Sequence, residues 1–151
     1  MGFIPKDAKW YLAEIVEEIT VEDDPRNVVH TNWVLVRADS PEQALDRAIL
    51  LGKEYDNMRY KNPDDKWVQA RFCGLRDLNV IHDELEHGAE LIFEEEIGLS
   101  EEAIRKKIST RDNLGIFRPI RPSVGPQYSS REVLDEAMKL LRGEDGMAEE
   151  G

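Results

Sequence analysis

Cysteine and long apolar runs are the scarcest features of this sequence. The single cysteine, Cys73, excludes a disulfide within the chain and is typical of a reducing compartment. No apolar run approaches the roughly 20 residues of a membrane span. Residues 1–7 lack the basic start and apolar stretch of a signal peptide. We therefore expect a cytoplasmic protein without a membrane partner.

Basic residues are also in the minority. The 151 residues include 20 Lys and Arg against 32 Asp and Glu, which gives a formal charge of −12. Nucleic-acid binding depends largely on basic side chains that neutralise phosphates, so this balance argues against DNA or RNA as a partner. The same excess disfavours an anionic membrane surface. A basic protein partner or a cation is compatible with the charge.

Motifs that mark well-known chemistry are missing as well. The sequence has no Gly-rich phosphate loop, no G-x-S-x-G nucleophile elbow and no cysteine pair spaced for zinc. We therefore expect no cofactor, no metal and no catalytic residue of these kinds. These absences favour a protein that is not an enzyme.

Alternation of apolar and polar residues predicts the strands. Over 10–21, apolar side chains such as Tyr11 and Ile15 alternate with Glu14 and Glu18, as in a half-buried strand. Similar patterns predict strands over 28–38, 66–72 and 89–96. Gly74 indicates a bulge after the strand predicted over 66–72, with pairing resumed over 78–81.

Capping residues predict the helices. Ser40 suits the N-cap of a helix that begins at Pro41, and Gln43 closes a capping box. This helix should end near 55–58, and Ser100 caps a shorter one. The order ββα followed by ββα predicts an α+β fold. We expect a four-stranded antiparallel sheet with helices on one face, plus a C-terminal amphipathic helix.

The chain divides by composition into four predicted segments. A core domain spans 9–109, a proline-rich arm or linker spans 110–128, a helix spans 129–143, and a disordered acidic tail spans 144–151. The helix carries an apolar stripe that could dock onto its own sheet or onto another chain, formed by Val133, Leu134, Ala137, Leu140 and Leu141.

Polar side chains that could bind a ligand concentrate between Gly74 and Gly88. They are Arg76, Asp77, Asn79, His82 and Asp83. An Arg–Asp pair beside an Asn can orient a small ligand, but the same groups can equally fix a bend in the sheet. The two histidines of 82–87 are five residues apart, which places their rings on different faces. We therefore interpret 82–87 as a solvated turn rather than a metal site.

Three further features have both a functional and a structural interpretation. Trp10, Trp33 and Trp67 could stack bases, but the acidic surroundings favour packing in the core or across strands. Cys73, flanked by Phe72 and Gly74, is interpreted as a small buried hydrophobe rather than a nucleophile. The glutamates at 94–96, together with Glu14, Glu17 and Glu18 on a predicted neighbouring strand, are interpreted as a solvated face rather than a cation site.

Four stretches of the sequence resemble a bacterial family catalogued as domain of unknown function 4288. They are KWY at 9–11, DPRNVVH at 24–30, GLRDLNVIHDEL at 74–85 and GAEL at 88–91. The resemblance covers about 9–108 and is most specific over 74–91. It implies a compact bacterial domain with these boundaries. It also directs attention to the polar residues of 76–83 without implying an activity for them.

Two functions follow as hypotheses. The first is a non-enzymatic interaction or accessory module. Its partner would be another protein, or a second copy that pairs through a sheet edge or the C-terminal helix. The alternative is a small hydrolase or ligand-binding enzyme that uses the Arg76–Asp83 region, with or without a divalent metal.

Overall fold

One antiparallel sheet of four strands organises the chain. The computed structural model describes residues 7–56, 58–120 and 124–130. Its strands lie in the order β2-β1-β4-β3. They are β1 (Trp10–Val21), β2 (Val28–Arg37), β3 (Arg59–Lys61) and β4 (Trp67–Val80). The predicted α+β class and the four-stranded antiparallel sheet are confirmed.

The segments that form the strands of the sheet differ from those predicted. The strand predicted over 89–96 is wrong, because these residues form no strand and Phe93 remains exposed. An apolar run becomes a strand only where a neighbouring edge can pair with it and bury one face. The fourth strand is instead β3, whose three residues are too few to leave an alternating pattern. β4 joins the two predicted segments 66–72 and 78–81 into one strand.

The bulge predicted at Gly74 is confirmed. The register between β1 and β4 shifts twice, so that first Arg76 and then Cys73 is left without an opposite residue. Gly74 lies between these two positions with φ of +145°, a backbone conformation that side chains with a Cβ rarely adopt. The two shifts therefore bend β4 around Gly74.

The helix α1 (Pro41–Lys53) packs on one face of the sheet, the helix face. The predicted cap is confirmed, since the Ser40 hydroxyl accepts a hydrogen bond from the Gln43 N–H at 3.1 Å. The Gln43 side chain in turn accepts one from the N–H of Asp39. The core beneath α1 consists of Tyr11, Ala13, Ile15, Val36, Ala38, Ala44 and Ala48.

A second apolar cluster occupies the other end of the helix face. It contains Ile19, Val21, Val68 and Ala70, and Tyr128 packs against it. The ring of Tyr128 meets His30 edge-on, with centroids 5.3 Å apart. Its carbonyl accepts a hydrogen bond from the Tyr60 hydroxyl. Residues 124–130 are therefore anchored on the sheet.

Contacts divide the described residues into two compact units, one formed by those of 7–92 with 124–130 and the other by those of 93–120. The second unit contains α2 (Glu101–Lys106), capped by Ser100 as predicted, and a 3-10 turn at Arg111–Asn113. None of the described residues of 93–120 is buried. The predicted helix over 129–143 and tail over 144–151 lie outside the described residues from position 131 onward.

Candidate protein-binding surface

The outer edge of β2 is a sheet edge of ten residues that pairs with no other strand of the described sheet. In an antiparallel pair, successive residues direct their backbone groups alternately towards the partner strand and away from it. The N–H of Ala38 bonds to Lys9 across β1, so the even positions of β2 face β1. The odd positions direct their N–H and C=O groups outward. They are Val29, Thr31, Trp33, Leu35 and Arg37. At the last of these positions the C=O already accepts a hydrogen bond from Arg47 Nη1 at 2.6 Å.

The opposite side of the sheet is protected against further pairing. There the edge strand β3 has only three residues, which pair with 67–69 of β4. Beyond that point β4 carries its two bulges, which disrupt a regular ladder. β2 is neither short nor bulged. Its ten residues pair with β1 without a register shift, and it contains no proline, lysine or carboxylate.

Apolar side chains accompany this edge on the face of the sheet away from α1, the outer face. Val34 and Val36 pack towards the α1 core, so the odd residues of β2 point to the outer face. Val29, Trp33 and Leu35 are 56%, 51% and 45% exposed. Aromatic residues in such positions are enriched among the residues that dominate protein–protein binding.

Four of the carboxylates around β2 are each paired with a cation of the same chain. These pairs are Glu14–Arg76, Glu18–Arg71, Asp24–Arg26 and Asp39–Lys9. Hydrogen bonds from Asn27 and then from Arg71 lower the pKa of Glu18. Hydrogen bonds from Arg26 and Lys9 lower the pKa values of Asp24 and Asp39, respectively. These four pairs add no net charge beside β2, although the whole chain has a formal charge of −12.

Glu14 is a buried carboxylate at the centre of the outer face. It lies opposite Trp33 on β2 and is 6% exposed. Arg76 donates from Nε to Glu14 Oε1 at 3.0 Å, and its terminal nitrogen also bonds to that oxygen. The bulge that leaves Arg76 without an opposite residue places its side chain over Glu14. Trp33, Glu14 and Arg76 therefore form one row across three strands.

The five predicted ligand-binding residues are distributed over two places. Arg76 is engaged with Glu14, and Asp77 accepts a hydrogen bond from the N–H of Leu78. Asn79 lies on β4 opposite Leu12. His82 and Asp83 lie together in a cavity of about 310 Å³ at the end of the sheet. That cavity is also lined by Trp10 and Arg37, which the sequence did not indicate.

The comparison with known families gives one match. A family model described as a domain of unknown function, DUF4288, matches residues 10–93. That is more than half of the chain. This chain belongs to the DUF4288 family. No curated protein and no solved structure matches it. The match includes all four strands and α1, and therefore the whole β2 surface.

Two predictions about side chains of this DUF4288 domain need correction or refinement. Cys73 is exposed, so its interpretation as a buried hydrophobe is wrong. It occupies a bulge position, where the side chain leaves the regular alternation of the strand. Cross-strand packing is confirmed for two tryptophans. Arg37 lies over Trp10 at 5.9 Å and Arg59 over Trp67 at 4.1 Å, whereas Trp33 is exposed.

The helix face of the DUF4288 domain holds a polar cluster that sequence reasoning missed. Glu17 is 7% exposed and accepts a hydrogen bond from Asn32 Nδ2 at 3.2 Å. The Nδ1 atom of His30 lies 3.5 Å from the same carboxylate oxygen. Glu17 falls in the apolar phase of β1, and this break in the alternation was the signal available. Tyr128 packs against His30, whose side chain remains 35% exposed, while Glu17 is the buried member of the cluster.

The described part of the chain holds no group of three or more His, Cys, Asp or Glu residues that could bind a metal ion. Glu96 pairs with Lys107. No helix there combines the length and the apolar character that a membrane span needs.

Proposed function

We propose that this DUF4288 domain is a protein-binding module that accepts an extended segment of its partner as an additional strand on β2. One observation carries the proposal: β2 is a ten-residue edge strand without a protective device, and its exposed side chains are apolar. Exposed edges of this kind pair readily with another chain unless they are blunted. In strand addition, the backbone provides affinity and alternate side chains provide specificity.

The arrangement of the outer face supports the same proposal. An added strand would lie beside β2, and its outer-face side chains would contact Val29, Trp33 and Leu35. Because Arg76 neutralises Glu14 next to Trp33, the incoming strand would meet no unpaired carboxylate there. The predicted stripe at Val133, Leu134, Ala137, Leu140 and Leu141 is a second proposed contact with a partner. The exposed single thiol of Cys73 supports placing the module in the cytoplasm.

Thr31 offers a variant that blocks the edge selectively. Its N–H points outward, so Thr31→Pro removes a donor needed by an added strand while the hydrogen bonds to β1 remain. Proline is tolerated in edge strands at such positions. Thr31→Ala retains the N–H and is the matched control. Circular dichroism and thermal melting would verify that both variants are folded.

The test uses short peptides selected from a phage-displayed library against the immobilised full chain. Selected peptides would be synthesised, and their binding to each variant measured by fluorescence anisotropy. We expect Thr31→Ala to bind like the original chain and Thr31→Pro to bind at least about tenfold more weakly, since backbone hydrogen bonds are lost. Failure to select any peptide, or equal binding by the two variants, would contradict strand addition.

A second candidate function is the binding of a small molecule in the cavity that contains His82 and Asp83. The observation in its favour is that these two residues meet the indole of Trp10 and the guanidinium of Arg37 in one concave site. Its volume of about 310 Å³ is near the lower limit for ligand pockets. Thermal melting against a panel of amino acids and divalent metal salts tests it. A shift that His82→Ala abolishes would support it, and no shift with any compound would exclude those ligands.

A further inference from the structure

We infer that the strand added to β2 comes from a second copy of this chain, so that two sheets join through an antiparallel β2–β2 pair. The inference rests on the proposed function and names its partner. A two-fold axis through the edge brings the same strand against itself in opposite directions, which is the geometry of an antiparallel ladder. The joined sheet would contain eight strands, four from each chain.

The backbone of β2 is compatible with this pairing. Only the odd residues direct N–H and C=O groups outward, so odd residues of one copy must lie opposite odd residues of the other. With Trp33 on the axis, Trp33 faces its own counterpart and Leu35 faces Thr31 of the second copy. With Asn32 on the axis, Leu35 faces Val29 and Trp33 faces Thr31. Both registers bring the exposed apolar side chains together.

The charges around β2 favour a second copy over a basic partner. A basic protein would be attracted to an acidic surface, but the strand has no carboxylate and four of the acids around it are paired with cations of the same chain. Neither register places like charges opposite each other. The remaining acidic residues therefore oppose association only at longer range, where dissolved salt screens them.

This difference predicts the direction of the salt effect. Two chains of formal charge −12 repel each other, so added sodium chloride should strengthen association through a neutral strand. A complex with a basic partner would instead weaken, because salt screens the attraction. The salt dependence thus separates the two kinds of partner without knowledge of the register.

Analytical ultracentrifugation of the full chain, from low micromolar to millimolar concentration, tests the inference. We expect a monomer–dimer equilibrium that salt strengthens and that Thr31→Ala leaves unchanged. Thr31→Pro should raise the dimer dissociation constant at least about tenfold, because each copy loses a donor at the interface. Trp33→Glu, which places carboxylates in the interface, is a second variant with the same expected effect.

A purely monomeric chain at millimolar concentration would overturn the inference. Dimers that both variants leave intact, or that salt weakens, would overturn it as well. The failure of this inference and that of the proposed function are distinguishable. If the chain is monomeric but the selected peptides still bind Thr31→Ala more tightly than Thr31→Pro, strand addition stands and a second copy is excluded as the partner. If the chain is monomeric and no peptide is selected, both this inference and the proposed function are contradicted.

Discussion

At the scale of single residues, the Glu14–Arg76 pair is the clearest link between the fold and the proposed surface. Glu14 is nearly inaccessible to water, whereas more than half of the Arg76 side chain is exposed. A buried carboxylate without its cation retains its desolvation penalty, so removing one partner costs more than replacing both. The pair therefore stabilises the part of the outer face that lies beside Trp33.

Arg76→Ala should consequently lower the free energy of unfolding by about 1–3 kcal/mol. In a Glu14→Gln background the same change should cost much less, because no buried charge is left unpaired. Urea denaturation of the two single variants and the double variant gives the coupling energy. Additive effects of the two substitutions would show that the buried carboxylate does not depend on Arg76.

Residue-scale burial was only partly predictable from the sequence. The alternation in β1 correctly placed Glu14 on the side opposite Tyr11 and Ile15, but alternation alone suggests that this side is solvated. Glu14 is buried because β1 is a central strand and because the bulge directs Arg76 over it. Both causes depend on strand order and register, which a local pattern does not specify.

At the scale of elements, the contact between α1 and β4 depends on a glycine. Gly52 is buried near the end of α1, and a Cβ at this position would overlap the ring of Phe72 on β4. Helix propensity favours alanine over glycine by about 1 kcal/mol, whereas packing against Phe72 disfavours alanine. The two contributions to stability therefore oppose each other at this position.

We expect packing to dominate, so that Gly52→Ala lowers the free energy of unfolding by about 1–3 kcal/mol. Phe72→Leu should relieve the overlap, so the double variant should lose less stability than the two single losses predict. Thermal and urea denaturation of the three variants measure this. A Gly52→Ala chain that is more stable than the original would contradict the close packing.

The anchored segment 124–130 is a second element whose position has a measurable consequence. Burial raises the pKa of the Tyr60 phenol above its ordinary value, and the nearby Tyr128 and Glu17 act in the same direction. A raised pKa means that the folded state favours the neutral phenol. Its contribution to stability is therefore full below the ordinary pKa and is lost as the pH rises through the raised value.

Tyr60→Phe should remove this alkaline dependence together with the hydrogen bond to the Tyr128 carbonyl. We expect the variant to be less stable at neutral pH by about 1 kcal/mol. We also expect its free energy of unfolding to fall less steeply above pH of about 10. Urea denaturation at several pH values tests this. If the free energies of unfolding of the two proteins vary with pH in parallel, a raised pKa of Tyr60 is contradicted.

The elements show which sequence signals suffice. β1, β2 and the start of α1 were predictable because each has a long alternating pattern or a specific cap. β3 was not, since three residues form a strand only through pairing with β4. The run Leu91–Phe93 has strand-forming residues but gains no partner, so the prediction there was wrong. Pairing partners, rather than propensity, decided both cases.

At the scale of the whole molecule, acidity and the neutral edge have separate roles. The charge of −12 favours solubility, which a chain with an unprotected edge strand needs. β2 itself contains no carboxylate, and four acidic side chains around it are offset by ion pairs. The net charge could be predicted from composition. The pairing of acidic side chains around β2 could not, because it depends on the strand order and on side-chain contacts.

Amide hydrogen exchange of β2, followed by NMR at low and high chain concentration, tests the central claim most directly. The even amides bond to β1 and should exchange slowly at both concentrations. The odd amides should exchange rapidly when the chain is dilute and slow down as an added strand occupies the edge. They are Val29, Thr31, Trp33, Leu35 and Arg37. Odd amides that exchange rapidly at every concentration, and also with a selected peptide, would contradict strand addition at β2.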